Sequence, residues 1–473
     1  YKLKNTKDDK GKVPAHAFNE KYIFQANVNW SAVTSSYFSS RITSHGALFD
    51  AGGSAAFPGN FKTSCFLAGF LNSPVTESAL LAINPTLNFQ AWNIGNLPIS
   101  KEIVTESLID STKELYEVAK LDWDSYETSY EFKNHTLLIH KSNFVLQAYK
   151  KWRAENNNDI LRTRSLEQEN NRLFIEAYGL QDELTPEVPL EQITLTVNPK
   201  YRYGGNLSDE ELENRFQSDT LAELISYAIG CMMGRYSLNR EGLVYAHAGN
   251  DGFAELEQQG AYNPFPADDD GIIPLTDQEW FEDDVTLRFR EFVQTIWGSD
   301  NLQANLDFVA ESLCLHAVKP KSNETSLDTI RRYLSTQFYK DHLKTYKKRP
   351  IYWLFSSGKQ KAFECLVYLH RYNAGTLARM RTEYVTPLLG KYDAYADTLS
   401  NQIDQASSTA EANRLSKSLI ALEKKQTELR EFDDKLKHHA DMQIKLDLDD
   451  GVKVNYGKFG DLLVDVKGVT GKK

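Results

Sequence analysis

The sequence predicts an α+β protein that is predominantly helical, and three observations carry that expectation. β-type residues and small-residue turns are concentrated before Ser100. From Ser100 onward apolar residues recur at helical spacing. After Pro387 leucines and alanines repeat every third or fourth position. With 473 residues, 41% of them hydrophobic, two to three domains with cores are expected. Composition divides the chain into a mixed α/β region at 1–150, a mainly helical region at 151–390, and antiparallel helices with a short β tail at 391–473.

Between Tyr22 and Pro98, YIFQANVNW and LFDAGGSAAF read as strands, with turns at Gly52-Gly53 and Pro58-Gly59. CFLAGFLNSPVTESALLAINP reads as one short apolar helix ended by Pro85, and NFQAWNIGNLPI as strand and loop. Ile103, Val104, Leu108, Ile109, Leu115 and Val118 fit a helix. SLEQENNRLFIEAYGL is a second, closed by Gly179. Thr185-Pro186 and Val188-Pro189 break the chain. TLAELISYAIGCMMGRYSL is strongly apolar, but Glu223, Arg235 and polar flanks make it a buried helix rather than a membrane span. Gly230 and Gly234 on it would permit close helix packing.

Residues 251–284 carry eleven acids and no Lys or Arg. Their spacing fits no calcium loop and no His lies among them, so they read as a solvated acidic loop rather than a metal site. Tyr395–Ala440 reads either as two antiparallel helices joined near Ser407–Ala412 or as one long broken helix. IKLDLDDGVKVNYGKFGDLLVDV reads as a short hairpin turning at Asp450-Gly451.

The chain is acidic, with formal net charge −11, yet Lys347–Val385 lies in a basic stretch. From Lys340 to Glu383 there are ten Lys/Arg against three acids, interleaved with aromatics. Cations meet phosphates, and rings either stack on bases or fill a core. Ile351, Trp353 and Phe355 share one face of a strand-like run, and Tyr352 and Leu354 the other. Both faces are apolar, so Trp353, Phe355 and Phe363 are expected in the core. From Lys359 a helix is expected, with Ser356 or Ser357 as its cap and Phe363, Leu366, Val367 and His370 as its stripe. Lys347, Lys348, Arg349, Lys359, Lys361 and Arg371 then remain as phosphate contacts. Equally, the acids of 251–284 could neutralise them within the protein.

Four scattered cysteines without a CxxC pair argue against zinc and disulfides and favour a reducing cytoplasm. No apolar run approaches the roughly 18 residues that a membrane span needs. The chain opens on Tyr1 rather than Met and reads as a piece of a longer protein. A GxxxxGK[ST] phosphate loop, a GxSxG elbow and an HExxH pair are absent. An amino-methyltransferase needs a glycine-rich cofactor turn and an Asn/Asp-Pro-Pro-aromatic loop. Asn84-Pro85-Thr86, Asn198-Pro199-Lys200 and Asn263-Pro264-Phe265 each lack the second Pro. No catalytic, cofactor-binding or metal residue is therefore assigned.

Six segments nevertheless form an ordered set: INPTLNFQAWNIGNLPI, AKLDWDSYETSYEF, NRLFIEAYGLQDELTPEVPLEQITLTVNP, ELISYAIGCMMGRYSLNREGLVYA, RPIYWLFSSGKQKAFECLVYLHRY and LDDGVKVNYGKFGDLL. Together they resemble the C-terminal half of the PglX family, the adenine-specific DNA methyltransferases of BREX phage-defence systems. The resemblance implies an enzyme that methylates the N6 of adenine in double-stranded DNA. It also implies that S-adenosylmethionine binds the parent enzyme outside this chain, and that no cofactor binds here. Other BREX proteins or a DNA-mimicking phage inhibitor are possible partners, and no membrane is implied. In this frame SSYFSSRITSHG resembles the start of a recognition segment. Tyr37, Arg41, Lys62 and Thr63 become candidate DNA contacts, against the reading of an ordinary surface loop. Asn88 and Gln90 have the chemistry to pair with adenine or to cap local backbone.

Overall fold

The structure, a computed structural model, describes residues 11, 19–34, 37–49, 52–84, 86–100, 103–246 and 251–471. Helices dominate, and two three-stranded antiparallel sheets accompany them, so the α+β, mainly helical expectation holds. The chain divides into two compact units. One takes residues 1–123 and 155–204, the other 124–154 and 205–473.

In the first unit, β1 (Asn27–Ser31) is the central strand between β2 (Ser40–Thr43) and β3 (Gly53–Ala56). Trp30 is buried, and its indole N–H donates to the Phe89 carbonyl at 3.1 Å. The apolar stretch expected as one helix is two: α1 (Phe61–Leu71) and α2 (Pro74–Ile83), bent by 66°. Ser73 caps the second and Pro74 occupies its first turn, where proline lacks only an N–H that has no helical partner. Pro85 lies outside the described residues. The strand expected within NFQAWNIGNLPI is instead α3 (Ala91–Gly95), its entry fixed by a capping box between Gln90 and Asn93. Helix α4 (Glu106–Asp124) follows. The second predicted helix is far longer, α5 (Val145–Ala177), and the boundary between the units falls within it. Gly179 closes it at φ 67°, with Leu180 N–H donating to Ile175 O at 3.0 Å. Val28, Phe70, Leu108 and Phe174 lie in this unit's core.

In the second unit, α6 (Asp209–Met232) starts at a Ser208–Glu211 capping box and is buried through most of its length. No single helix among the described residues is long and apolar enough to cross a membrane. Gly230 admits the Tyr236 ring against the helix, because the chain reverses at Gly234.

The 251–284 segment is solvated only in part: Asp251, Glu255, Glu257, Asp269, Asp277, Glu279 and Glu282 are exposed as expected, but the other four acids are not. Asp284 and Asp268 are buried, Asp270 and Asp283 are half-buried, and these four carboxylates accept from local backbone N–H groups or from Tyr384. Asp268 accepts from the Gly271 N–H at 2.6 Å, Asp270 from the Ile272 N–H at 2.7 Å, and Asp283 from the Tyr384 hydroxyl at 2.7 Å. Burial and the neighbouring Asp270 push Asp268 up to about 7. No group of three or more potential ligands among the described residues could hold a metal ion.

Strand β4 (Ile272–Pro274) emerges from this segment and pairs with β6 (Glu364–Tyr368), which pairs with β5 (Tyr352–Ser356). Every residue of β5 and β6 is buried. The helix expected after Lys359 is therefore strand β6; Ser356 ends β5 and Ser357–Phe363 is the hairpin connection, so neither serine caps a helix. Gly358 at φ 138° and Lys361 at φ 51° reverse the chain there. Trp353, Phe355 and Phe363 lie in the core as expected.

Of the two readings of the C-terminal repeat, the antiparallel pair is correct. Helices α7 (Thr386–Asp404) and α8 (Thr409–Asp441) meet through Asp393–Gln426 at 2.8 Å, while Arg381, just ahead of the first, reaches Asp433 at 2.8 Å. The tail is helical, not a hairpin, running through short turns between Leu448 and Thr470. Tyr456, Phe459 and Leu462 recur every third residue, and the first two set their rings against Trp353. All four cysteines are free.

Candidate nucleic-acid interface

The helix at Tyr339–Thr345 ends in the sequence Tyr346-Lys347-Lys348-Arg349, and β5 begins three residues later. Three backbone bonds turn the chain: Lys347 N–H to Lys344 O at 3.2 Å, Lys348 N–H to Leu343 O at 2.7 Å, and Arg349 N–H to Tyr346 O at 2.9 Å. The turn puts Lys347 at φ 49° and Lys348 at φ 61°. Left-handed backbone costs a side-chain-bearing residue about 1–2 kcal/mol, and glycine would avoid it. All three basic side chains are exposed, and none forms a hydrogen bond or ion pair among the described residues.

Lys359 is also exposed, without a side-chain partner among the described residues, at the tip of the β5–β6 hairpin. Glu428 of α8 holds that tip. It accepts from Ser357 Oγ at 2.8 Å, Gln360 N–H at 2.7 Å and Ala362 N–H at 3.3 Å.

The other two candidate cations have partners within the protein, Lys361 at the surface and Arg371 half-buried. Lys361 donates to Ser335 O at 2.5 Å and pairs with Glu364 at 3.0 Å. Burial raises the Glu364 carboxyl, and the lysine opposes that rise. Arg371 lies over the Phe253 ring at 3.7 Å and donates to the carbonyls of Asp268 at 2.5 Å and Asp269 at 2.8 Å. Burial lowers its pKa, and Asp268 and Asp270 oppose that. Internal neutralisation by the acidic segment thus describes Arg371, whereas Lys347, Lys348, Arg349 and Lys359 remain open to solvent.

In the first unit Tyr37 is exposed, and its carbonyl accepts from Thr34 Oγ1 at 3.2 Å. Arg41 is exposed on β2 and donates to Thr194 Oγ1 at 2.9 Å. Its charge opposes the burial that pushes Glu167 up to about 7. Lys62 pairs with Glu106. Thr63 spends both its N–H and its hydroxyl on Asn60 Oδ1, at 2.9 and 3.0 Å, as part of the α1 cap. Asn88 Oδ1 accepts from Gln90 Nε2 at 2.5 Å, so these two side chains serve each other.

Sequence reasoning passed over Lys340 and Lys344 as contacts, although both are exposed. Their four-residue spacing on a helix was the available signal.

These elements define a mainly helical protein with an exposed basic turn and no metal-binding cluster among the described residues. No family model matches the chain. It is 53% identical over 459 residues to the adenine-specific methyltransferase BrxX of Escherichia coli O9:H4 (strain HS), a match covering 97% of this chain and 38% of that protein. It is 37% identical over 462 residues to the adenine-specific methyltransferase PglX of Lacticaseibacillus casei (strain Zhang), covering 95% of this chain and 35% of that one. The chain thus belongs to the family of these adenine-specific methyltransferases, as a segment. It spans little more than a third of the length of the relatives it matches.

Proposed function

We propose that this chain is the DNA-binding, target-recognition part of a site-specific N6-adenine DNA methyltransferase of a bacterial phage-defence system. The observation that carries the reading is the run Lys347–Arg349. In an acidic chain related to adenine-specific methyltransferases, three adjacent cations stand exposed and unpaired on a strained turn. Lys359 adds a fourth open cation. In the first unit, Tyr37 and Arg41 are the exposed polar groups offered for base or phosphate contact, with Lys62 available on breaking its pair with Glu106.

S-adenosylmethionine supplies the methyl group in such enzymes, and we place its binding outside this chain. In support, both sheets are antiparallel, and Gly52 and Gly53 open onto an outer strand rather than following a parallel one into a helix. Gly52-Gly53 thus does not have the setting of a cofactor loop. Four free cysteines and a DNA substrate agree with work in the cytoplasm.

Titration of a labelled duplex with the chain at increasing salt tests the reading. Each phosphate contact contributes about −0.9 to the slope of log affinity against log salt, so four open cations predict a slope at least as steep as roughly −3 to −4. Failure to bind duplex, or binding indifferent to salt, would contradict it.

A further inference from the structure

The helix that leads into the basic turn carries the cationic run further. Ser326–Tyr333, a π-helical turn at Leu334–Phe338 and Tyr339–Thr345 follow one another without a break. Lys340 and Lys344 sit one turn apart on the last piece, so they share a face. Both are exposed, and neither forms an ion pair among the described residues. Asp341, the one acid within Lys340–Arg349, is half-buried and bonded back along the helix, and the charge of Lys344 opposes the burial that raises its pKa. It accepts from the Tyr333 hydroxyl at 3.1 Å and from Gln337 Nε2 at 2.9 Å.

Two local preferences are set aside here. Like charges four residues apart on a helix repel each other. Lys347 and Lys348 hold left-handed backbone, where glycine would sit without strain. The negative end of the helix dipole favours cations in the last turn. Lys344 already satisfies that preference, and it does not call for lysine at both left-handed positions.

We propose that Lys340, Lys344, Lys347, Lys348 and Arg349 form one ridge that follows the phosphates of a DNA strand. The inference rests on the DNA-binding reading and adds Lys340 and Lys344 to it. The ridge contacts backbone rather than base edges, so it anchors the duplex without reading sequence.

The full chain, titrated against a fluorescein-labelled duplex at several salt concentrations, tests the ridge. The variants are the double changes Lys340→Ala with Lys344→Ala, and Lys347→Gly with Lys348→Gly. Lys424→Ala, an exposed cation on α8, is the control. Each double variant is expected to shallow the salt slope by about two, at about 0.9 per lost phosphate contact, while the control keeps it. The glycine variant is also expected to melt at or above the wild-type temperature, because the left-handed strain is gone. An unchanged slope in both variants would overturn the ridge. So would a glycine variant that melts lower yet keeps its slope, since those lysines would then serve the helix end. If the unaltered chain does not bind duplex, the DNA-binding reading itself fails. Wild-type binding with unaltered variant slopes removes only the ridge.

Discussion

His342 Nε2 accepts the backbone N–H of Tyr352 at 3.2 Å, and that of Ile351 at 3.1 Å. A single buried imidazole thereby ties the helix before the basic turn to the strand after it. The rings of Phe338, Tyr339, Tyr346 and Tyr352 surround it. Because Nε2 is the acceptor, the ring is neutral and carries its proton on Nδ1, which has no partner among the described residues. Burial, helped by the charge of Arg235, lowers its pKa from 6.5 to about 3.

The direction of that shift fixes a pH dependence. The folded state keeps His342 neutral where the unfolded chain would protonate it. Its contribution is therefore complete above pH 6.5 and is lost as pH falls towards about 3. Buried His135, also lowered to about 3, adds to the same window. Urea unfolding of His342→Gln and wild type across this range should show the gap between them closing as pH falls. Parallel curves would show that His342 is not responsible.

Glu428→Ala removes three hydrogen bonds from the hairpin tip that carries Lys359. Hydrogen bonds to a charged group each contribute about 1.5–3 kcal/mol, but the freed donors at this half-buried site regain water. We expect a net loss of about 2–3 kcal/mol in denaturant unfolding. A loss under about 0.5 kcal/mol would mean that the tip holds its shape without α8.

Arg331 donates to Asp284 Oδ1 at 2.8 Å and to Thr276 O at 2.9 Å. Asp284 is fully buried, and desolvation raises its pKa against the opposing charge of Arg331. Arg331→Met would strand that carboxylate, and breaking a buried pair from one side costs about 3–5 kcal/mol. The double change Arg331→Met with Asp284→Asn should recover part of the loss, as read from chemical denaturation midpoints.

A Cβ at Gly230 would lie 2.4 Å from the Tyr236 ring. Tyr236 is itself buried, so it cannot swing away cheaply. Gly230→Ala should therefore destabilise by about 1–3 kcal/mol, and Gly230→Ala with Tyr236→Ala should not add to the loss of Tyr236→Ala alone. Thermal melts of the three variants decide this.

Burial on both sides made β5 legible, because Tyr352–Phe355 is apolar on both faces. β6 was not legible. Phe363, Leu366 and Val367 fall by chance at helical spacing, and of the two strands that pair with β6 one, Ile272–Pro274, is far away in sequence while the other, β5, meets it only because Gly358 and Lys361 reverse the chain between them. The tail misled for a related reason. Its Val452 and Val454 alternate like a strand, but Tyr456 and Phe459 find Trp353 only as successive turns of helix. At the site, local sequence could not separate Arg371 from Lys347. Both are cations beside aromatics, and only the distant carbonyls of Asp268 and Asp269 draw one of them inside. The acidic segment was legible in part: its charge suggested solvent, which holds for most of its acids, whereas Asp268 and Asp270 satisfy nearby backbone N–H groups.

The central claim is that this segment chooses the DNA site. The direct measurement replaces the corresponding segment of a related adenine-specific methyltransferase of different specificity with this chain, then maps methylated adenines by sequencing. The account predicts that the methylated sequence changes to the one marked by the enzyme that naturally carries this segment. An active chimaera that still marks the recipient's original sequence would contradict it.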